Sequence, residues 1–325
     1  LTWVAQALQA ADGFGVASAD EGVCLRQAGV GQPITLLEGI FQATELPLAA
    51  QYNLSPVIHH ESQLWDLEHS PGAGPLEVWL KIDTGMHRLG FSPEALPDVL
   101  QRLKALSRVR ATRLMTHFAN ADNKFDASTK VQTELFMSLT REVQAERSLA
   151  NSAGIVAWPA SHGDWVRPGI MLYGASPVIG QSASDLGLKP VMTLQTEIIA
   201  VHRRRKGEVV GYGGEWLCPE DMPVGVAAIG YGDGYPRHAP AGTPVLVQGR
   251  RLPLIGRVSM DMITIDLRAR PDTRVGDAVT LWGEGLAVEE IAERSGTIAY
   301  ELLCCVTERV ARHPGPTQDT TQEQP

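Results

Sequence analysis

The stretch EVWLKIDTGMHRLGFSPEALPDVLQRLKAL, residues 77–106, joins an apolar run to a polar loop and then to a helix-like segment. The apolar run at 77–82 has the length of a buried strand. Ser92 as N-cap, Pro93 at the first helical position and Glu94 in the first turn mark the start of a helix. Strand, loop and helix in this order predict one unit of a parallel βα fold.

The same alternation recurs up to about residue 175 and predicts an α/β fold, a (β/α)8 barrel of the TIM type over residues 1–180. The predicted strands are GFGVA (13–17), ITLLE (34–38), PVIHH (56–60), EVWLKI (77–82), LMTHF (114–118), SLAN (148–151) and VRPGIMLYG (166–174). These are seven strands, whereas the barrel needs eight. Because LTWVAQALQA (1–10) already has a helical pattern, we expect the first βα unit to be absent from this chain.

Polar residues stand at the C-terminal ends of five predicted strands: Glu38, His59 and His60, Lys81 and Asp83, His117, Asn151 and Ser152. Any one of them is explained by its position beside a loop. Strand ends converge on one face of a barrel, however, and barrel enzymes carry their active sites on that face. We therefore expect a site there.

From about residue 188 the pattern changes to two-residue alternation with glycine-containing turns, which predicts an all-β domain over 188–312. VQGRRLP (247–253) is typical of a β-hairpin. The tail HPGPTQDTTQEQP (313–325) is rich in Pro, Gln and Thr, and we expect it to be disordered.

Composition excludes several classes of protein. The formal net charge of −9 argues against binding of nucleic acid or of an anionic membrane, and no apolar stretch is long enough to span a bilayer. Cys24, Cys218, Cys304 and Cys305 form no CxxC pair, so neither a disulfide framework nor a metal site is predicted. A reducing, cytoplasmic location fits best. We expect Cys304 and Cys305 to pack in the β domain.

A purely structural role explains two segments of the β domain poorly. AIGYGDGYPR (228–237) follows an apolar strand and predicts that Tyr231 is exposed on a tight turn. GRVSMDM (256–262) predicts that Asp261 lies in a strand between two methionines. Each segment alone also fits a structural turn or a capped aspartate.

Seven motifs in this order resemble those of bacterial alanine racemases: LKIDTGMHRLG (80–90), THFANAD (116–122), LANSAG (149–154), DWVRPGIMLYG (164–174), VVGYGGEW (209–216), GYGDGYPR (230–237) and GRVSMDM (256–262). They extend over nearly the whole chain and are highly specific together. The resemblance implies a barrel that binds pyridoxal 5'-phosphate (PLP), followed by a β domain. It also implies a homodimer that interconverts L- and D-alanine, for peptidoglycan precursor synthesis or for D-alanine catabolism.

The resemblance assigns roles to individual residues. Tyr231 matches a base that acts on one face of the substrate α-carbon and reaches across from the partner subunit. Arg167 matches the arginine that binds the pyridine nitrogen of PLP, and His117 matches the histidine that links this arginine to the tyrosine. The other matches are phosphate-binding positions (Asn151, Ser152, Gly169, Ile170 and Tyr300) and positions near the substrate carboxylate and the site entrance (Arg88, Met260 and Asp261).

These roles fit the chemistry of racemisation. PLP makes the Cα–H of an amino acid acidic, and inversion then needs one base on each face of the α-carbon. A phenol, with a reference pKa of about 10, acts as a base near neutral pH only if nearby cations favour the phenolate. A chain of Arg167, His117 and Tyr231 would supply that positive charge. In isolation, His117 also fits an ordinary strand-end histidine, and Tyr300 fits a core tyrosine.

The second base of the family is a lysine in a KANAYGHG-like motif, and the 325 residues contain no such motif. We expect that lysine to lie just before Leu1, in a chain whose sequence is truncated. A polypeptide that really lacked one barrel unit would be inactive and poorly folded, because two sheet edges would be open. Lys81 matches a lysine that is often carbamylated in the family and that then orients Arg88. The alternative is a lysine paired with Asp83.

Three alternative functions share a PLP-binding barrel. A racemase of broader amino-acid specificity has the same motifs. A non-catalytic PLP-binding barrel protein resembles the barrel half alone, so GYGDGYPR counts against it. A PLP-dependent amino-acid decarboxylase would need other motifs in place of RVSMDM and WVRPG.

Overall fold

The computed structural model describes residues 1–70 and 74–315, and the remainder of the predicted disordered tail, from 316 onwards, lies outside the described residues. The chain forms two compact units. Unit 1 contains Leu1–Gly169 and Pro177–Gly180, and unit 2 contains Ile170–Ser176 and the chain from Gln181 onwards.

Unit 1 is built on a parallel sheet with helices between the strands. Over the described residues its strands follow one another in chain order: β1 (Phe14–Val16), β2 (Ile34–Leu36), β3 (Leu54–Ile58), β4 (Leu76–Lys81), β5 (Val109–Met115), β6 (Arg147–Asn151) and β7 (Trp165–Arg167). The α-helices are α1 (Thr2–Ala7), α2 (Ala19–Gln27), α3 (Glu45–Gln51), α4 (Glu61–His69), α5 (Leu96–Ala105), α6 (Ser128–Thr140) and α7 (Ser152–Ala157). The sheet forms a nearly closed barrel, which confirms the predicted fold class.

The burial pattern of β4 shows how a strand of this barrel is oriented. Val78 and Leu80 are fully buried in the main core, which also contains the apolar faces of α4 and α5. Side chains alternate along a strand, so Trp79 and Lys81 point to the opposite face. There Trp79 packs with Val57 of β3 and Met115 of β5. Lys81 therefore ends β4 on the inner face of the barrel.

An arginine links several strands on the same inner face. Arg113 of β5 donates to Glu77 of β4 at 2.8 Å and to Glu146, which precedes β6, at 2.5 Å. Its guanidinium also lies 5.7 Å from the ring centre of Trp79 and 5.8 Å from that of Trp165. Arg113 thus contributes to ion pairs and cation–π contacts across four neighbouring strands.

The seventh strand is shorter than predicted. The expected strand at 166–174 is wrong beyond Arg167, because Pro168 has no N–H to continue the ladder. The chain instead forms a 3-10 helix at Ile170–Tyr173, in unit 2. The fifth strand ends at Met115, so His117 lies just past its C-terminal end.

Unit 2 is an all-β domain, as predicted. Its strands are β8 (Leu194–Arg204), β9 (Val209–Val210), β10 (Trp216–Leu217), β11 (Met222–Ala227), β12 (Pro244–Val247), β13 (Arg250–Ile255), β14 (Ile263–Asp266) and β15 (Ala278–Trp282), followed by α8 (Val288–Arg294) and α9 (Ala299–Cys305). Six of these strands close an antiparallel barrel in the order β11–β14–β13–β12–β15–β8. The predicted hairpin is β12–β13, with positive φ angles at Gln248 and Gly249 in its two-residue turn.

Two further observations concern the surface. Cys304 and Cys305 on α9 are exposed, so the expectation that both pack in the β domain is wrong. Among the described residues, no helix has both the length and the apolar character needed to cross a bilayer.

Candidate active site

The guanidinium of Arg167 is held between the C-terminal end of β5 and the middle of β6. Nη1 donates to Oγ of Ser148 at 2.5 Å, and Nη2 donates to the carbonyl oxygens of Thr116 at 2.7 Å and Leu149 at 3.0 Å. Burial lowers the pKa of Arg167 to about 10, so the side chain remains a cation at neutral pH. Its Nε–H has no hydrogen-bond partner within the part of the chain that the structure describes. The Nε–H group therefore remains for a ligand, as does the second N–H of Nη1.

His117 is a neutral ring beside this arginine. Nδ1 of His117 lies 3.4 Å from Nη2 of Arg167. Both hydrogens of Nη2 also donate to carbonyl oxygens, so this contact is a shared hydrogen bond. A guanidinium can only donate, so Nδ1 is the acceptor and the neutral ring carries its proton on Nε2. Burial, followed by the positive charges of Arg167, Lys81 and Arg88, lowers the pKa of His117 to about 3. His117 is therefore uncharged at neutral pH and presents an N–H donor on the nitrogen away from Arg167.

Lys81 is 7% exposed at the end of β4. Burial, together with the nearby cations Arg167 and Arg88, lowers the pKa of its amine to about 8, although Asp83 and Glu38 act in the opposite direction. A large fraction of Lys81 is consequently a neutral amine near pH 8. The neutral amine is the form that can react with CO2.

Asp83 organises the loop after β4. Its Oδ1 accepts the backbone N–H groups of Gly85, Met86 and His87 at 2.9, 3.1 and 3.0 Å, and Oδ2 lies 3.1 Å from Nδ1 of His87. The ion pairs of the described residues include none between Lys81 and Asp83. The carboxylate therefore holds the loop that carries Arg88.

Arg88 is exposed on this loop. It makes no hydrogen bond or ion pair with any residue that the structure describes, yet its positive charge lowers the pKa of both Lys81 and His117. Arg88 is thus near these two side chains, and its guanidinium is available for an anionic group.

The predicted phosphate-binding residues are divided between the two units. In unit 1, Asn151 is the N-cap of α7 and its Oδ1 accepts the N–H of Gly154 at 2.9 Å, while Oγ of Ser152 accepts the N–H of Gly169 at 2.7 Å. The structure thus brings Asn151, Ser152 and Gly169 together. Ile170, in the core of unit 2, and Tyr300, exposed on α9, belong to the other unit.

Tyr231 begins a 3-10 turn after β11, and the residue is 40% exposed, as the sequence pattern predicts. The backbone N–H of Tyr231 donates to Ser259 O at 3.1 Å, and that of Gly232 donates to Met260 O at 2.8 Å. A Cβ at Gly230 would clash with these two carbonyl groups. Only glycine at this position permits the close approach of the two loops.

Met260 and Asp261 lie in the facing loop, between β13 and β14. The prediction that Asp261 is in a strand is wrong, because the N–H of Ser259 donates to Met262 O at 2.9 Å and turns the chain there. Both Met260 and Asp261 are exposed at this turn. Sequence alternation continues through the segment, but its backbone hydrogen bonds go to the Tyr231 turn.

Several residues that hold the site were not predicted. Gln132 of α6 donates to His117 O at 3.1 Å and accepts the N–H of Ala119 at 3.0 Å, so it fixes the segment after β5. The buried hydroxyl of Ser148, an acceptor for Arg167, is signalled by a serine inside an apolar strand. Arg309 donates hydrogen bonds to Asp233 and Asp261, which are 76 and 48 residues away in sequence. Contacts over such separations produce no local sequence pattern from which Arg309 could have been predicted.

Comparison with known proteins places both halves of the chain in one family. Residues 1–177 match the family model "Alanine racemase, N-terminal domain", and residues 191–314 match "Alanine racemase, C-terminal domain". The chain belongs to the alanine racemase family. This confirms the family that the sequence motifs indicated, a family of isomerases.

Individual alanine racemases are similar over nearly the whole chain. That of Nitrosococcus oceani is 53% identical over 313 residues, which cover 96% of this chain and 88% of the relative. That of Shewanella sediminis is 52% identical over 309 residues, covering 95% and 86%. The crystal structure of the biosynthetic alanine racemase from Pseudomonas aeruginosa has a TM-score of 0.94 and 48% identity, covering 96% of this chain and 87% of that one.

Proposed function

We propose that this protein is a homodimeric, PLP-dependent alanine racemase that interconverts L- and D-alanine by proton transfer between two bases. The observation that carries the proposal is the Arg167–His117 pair. Three acceptors fix the arginine, and the histidine beside it is neutral with its proton on Nε2. The identity to named alanine racemases supports the choice of substrate.

The residues of unit 1 fit PLP. The Nε–H of Arg167 has no other partner among the described residues and would donate to the pyridine nitrogen. A guanidinium does not give up its proton, so that nitrogen would stay unprotonated, which should limit side reactions such as transamination. Asn151, Ser152 and Gly169 of this unit would hold the phosphate. Ile170 and Tyr300, which belong to unit 2, are the further phosphate-binding positions that the resemblance implies. When bound, PLP acidifies the α-proton of an amino acid by delocalising the negative charge left on the α-carbon.

Proton transfer is assigned to Tyr231 on one face of the α-carbon. In the proposed dimer this tyrosine comes from the partner subunit, and the Nε2–H of His117 would donate to its oxygen. Such a donor, backed by the positive charge of Arg167, favours the phenolate and so makes the phenol a usable base. The base on the other face is a lysine of a KANAYGHG-like motif, which is not among these 325 residues.

Substrate binding is assigned to Arg88, which would pair with the substrate carboxylate. Carbamylation would convert Lys81 into an anion, and that anion would orient Arg88. Met260 and Asp261 would line the entrance. We further propose a cytoplasmic enzyme that supplies D-alanine for peptidoglycan precursors.

The test uses the polypeptide as its gene encodes it, loaded with PLP and incubated with L-alanine in deuterated buffer. We expect exchange of the α-proton, measured by proton NMR, together with formation of D-alanine, measured by chiral chromatography. A protein that binds PLP, as shown by its visible absorbance, yet leaves the α-proton unexchanged would rule out the proposed function.

A further inference from the structure

We infer that Arg309 is a positioning residue for Tyr231 and fixes the loop of the proposed base to the loop of Asp261. The inference rests on the proposed function, because it concerns the placement of a catalytic tyrosine. The contacts that support it all lie within unit 2.

Arg309 bonds two carboxylates from different loops. Its Nε donates to Oδ1 of Asp233 at 2.7 Å, and its Nη2 donates to Oδ1 of Asp261. Asp233 ends the 3-10 turn that Tyr231 begins, and its Oδ2 accepts the N–H of Gly230 at 2.8 Å. One carboxylate of the Tyr231 turn is therefore held from inside the turn by Gly230 and from outside by Arg309.

The segment that carries Arg309 also binds the backbone of the turn. The N–H of Thr307 donates to Asp233 O at 3.2 Å, and Oγ1 of Thr307 donates to Gly232 O at 3.0 Å. Gly234, with φ +100°, leaves room for the carbonyl group of Cys305 where a Cβ would clash. The Tyr231 turn thus lies between the loop of Ser259 and Met260 on one side and residues 305–309 on the other.

Arg309 contributes placement more than stability. Its side chain is 48% exposed and that of Asp261 is 54% exposed, and ion pairs of this kind contribute little to folding. Without the arginine, the Asp233 and Asp261 carboxylates lose the cation they share, and only the backbone hydrogen bonds from Tyr231 and Gly232 still join the two loops. The Tyr231 turn should then be placed less precisely. A displacement of about 1 Å at a catalytic group can cost about 100-fold in rate.

The kinetic experiment compares Arg309→Gln with Arg312→Gln in the PLP-loaded enzyme. Arg312 is a nearby arginine whose described contact is a 3.4 Å hydrogen bond to Val306 O, so it serves as the control. For Arg309→Gln we expect kcat to fall about 10- to 100-fold, with KM and the melting temperature little changed. The substrate deuterium isotope effect should rise for the enantiomer whose α-proton Tyr231 removes. Arg309→Lys should recover part of the loss.

A second measurement needs neither cofactor nor turnover. The chain has six tyrosines, so ζ-13C-tyrosine NMR of the apoprotein gives few signals, and Tyr231→Phe assigns one of them. Arg309→Gln should shift or broaden the Tyr231 signal, whereas Arg312→Gln should leave it in place.

The outcomes separate this inference from the proposed function. An active wild-type enzyme whose Arg309→Gln variant keeps its kcat and its Tyr231 signal overturns the positioning role. Equal effects of Arg309→Gln and Arg312→Gln, or a loss explained by a lower melting temperature, also overturn it. A wild-type enzyme without α-proton exchange contradicts the proposed function, and the NMR comparison then still decides whether Arg309 fixes Tyr231.

Discussion

The phenolic oxygen of Tyr231 is the proposed base on one face of the substrate α-carbon. Replacing this residue by phenylalanine keeps the ring but removes the group proposed to accept the proton. We therefore expect Tyr231→Phe to abolish α-proton exchange for one enantiomer of alanine far more than for the other, because the base on the opposite face remains. Proton NMR in deuterated buffer measures both rates. Equal losses for the two enantiomers would contradict the one-face assignment.

The protonation state of His117 gives a second prediction. With a pKa of about 3 in the folded state and a reference value near 6.5, the folded protein binds fewer protons than the unfolded chain between these values. The contribution of this group to stability is thus complete above pH 6.5 and is lost as the pH falls towards 3. Ring 15N NMR should show a neutral Nε2–H tautomer from pH 5 to 8, in a signal absent from His117→Asn. If the His117 ring titrated with a midpoint between pH 5 and 8, the prediction of a neutral ring would be wrong.

Lys81 supports a prediction about modification. Its pKa of about 8 provides neutral amine, so 13C-labelled bicarbonate should give a carbamate signal in the 13C NMR spectrum. The signal should be lost in Lys81→Gln and retained in Lys104→Gln, which changes an exposed lysine of α5. Labelling should slow by about tenfold per pH unit below the pKa, because the amine is then protonated. A carbamate signal that survives in Lys81→Gln would assign it elsewhere.

Among the elements, the strands of unit 1 depend on Arg113, whose side chain is 18% exposed. Arg113→Met removes the donor that Glu77 and Glu146 share, and leaves Glu146 with Trp165 Nε1 at 3.0 Å and Glu77 with Arg110 at 3.9 Å. The loss should lower the free energy of unfolding by about 1–3 kcal/mol. Arg110→Met, on the same strand but half-exposed, should cost less than about 0.5 kcal/mol. Urea unfolding followed by tryptophan fluorescence measures both.

The effect of Arg113 should also depend on pH. The hydrogen bond from Arg113 lowers the pKa of Glu146, so the stability that this pair contributes is present above the reference pKa of about 4.3 and is lost on acidification through the lowered value. The difference between wild type and Arg113→Met should shrink at pH 3. A difference independent of pH would show that the packing of the side chain matters and the ion pairs do not.

Most elements of this molecule could be predicted from apolar runs and helix caps, since these are local patterns. The predicted strand at 77–82 corresponds to β4 at 76–81. The errors occur where a tertiary hydrogen bond or a missing donor decides the structure, as at Asp261 and after Pro168. Arg309 and Gln132 could not be predicted, because their partners are distant in sequence and a contact between distant residues leaves no periodic pattern.

At the scale of the whole molecule, the proposed dimer can be tested by complementation. If Tyr231 serves the barrel of the partner, a mixed dimer of Tyr231→Phe and Arg88→Ala subunits contains one site with both native residues. Co-expression of the two inactive variants should then restore about one quarter of wild-type activity, because half of the dimers are mixed and each has one intact site. If Tyr231 serves its own barrel, every site keeps one defect and no activity returns.

The contacts between residues 305–309 and the Tyr231 turn also bear on the order of events during protein synthesis. Gly232 and Thr307 are 75 residues apart, so the ribosome makes the turn well before it makes the segment that fixes it. Domains begin to fold while the chain emerges, at about 5–20 residues per second. For several seconds the nascent β domain therefore contains Tyr231 without the contacts from residues 305–309. A polypeptide released at that stage would lack the contacts that orient this side chain.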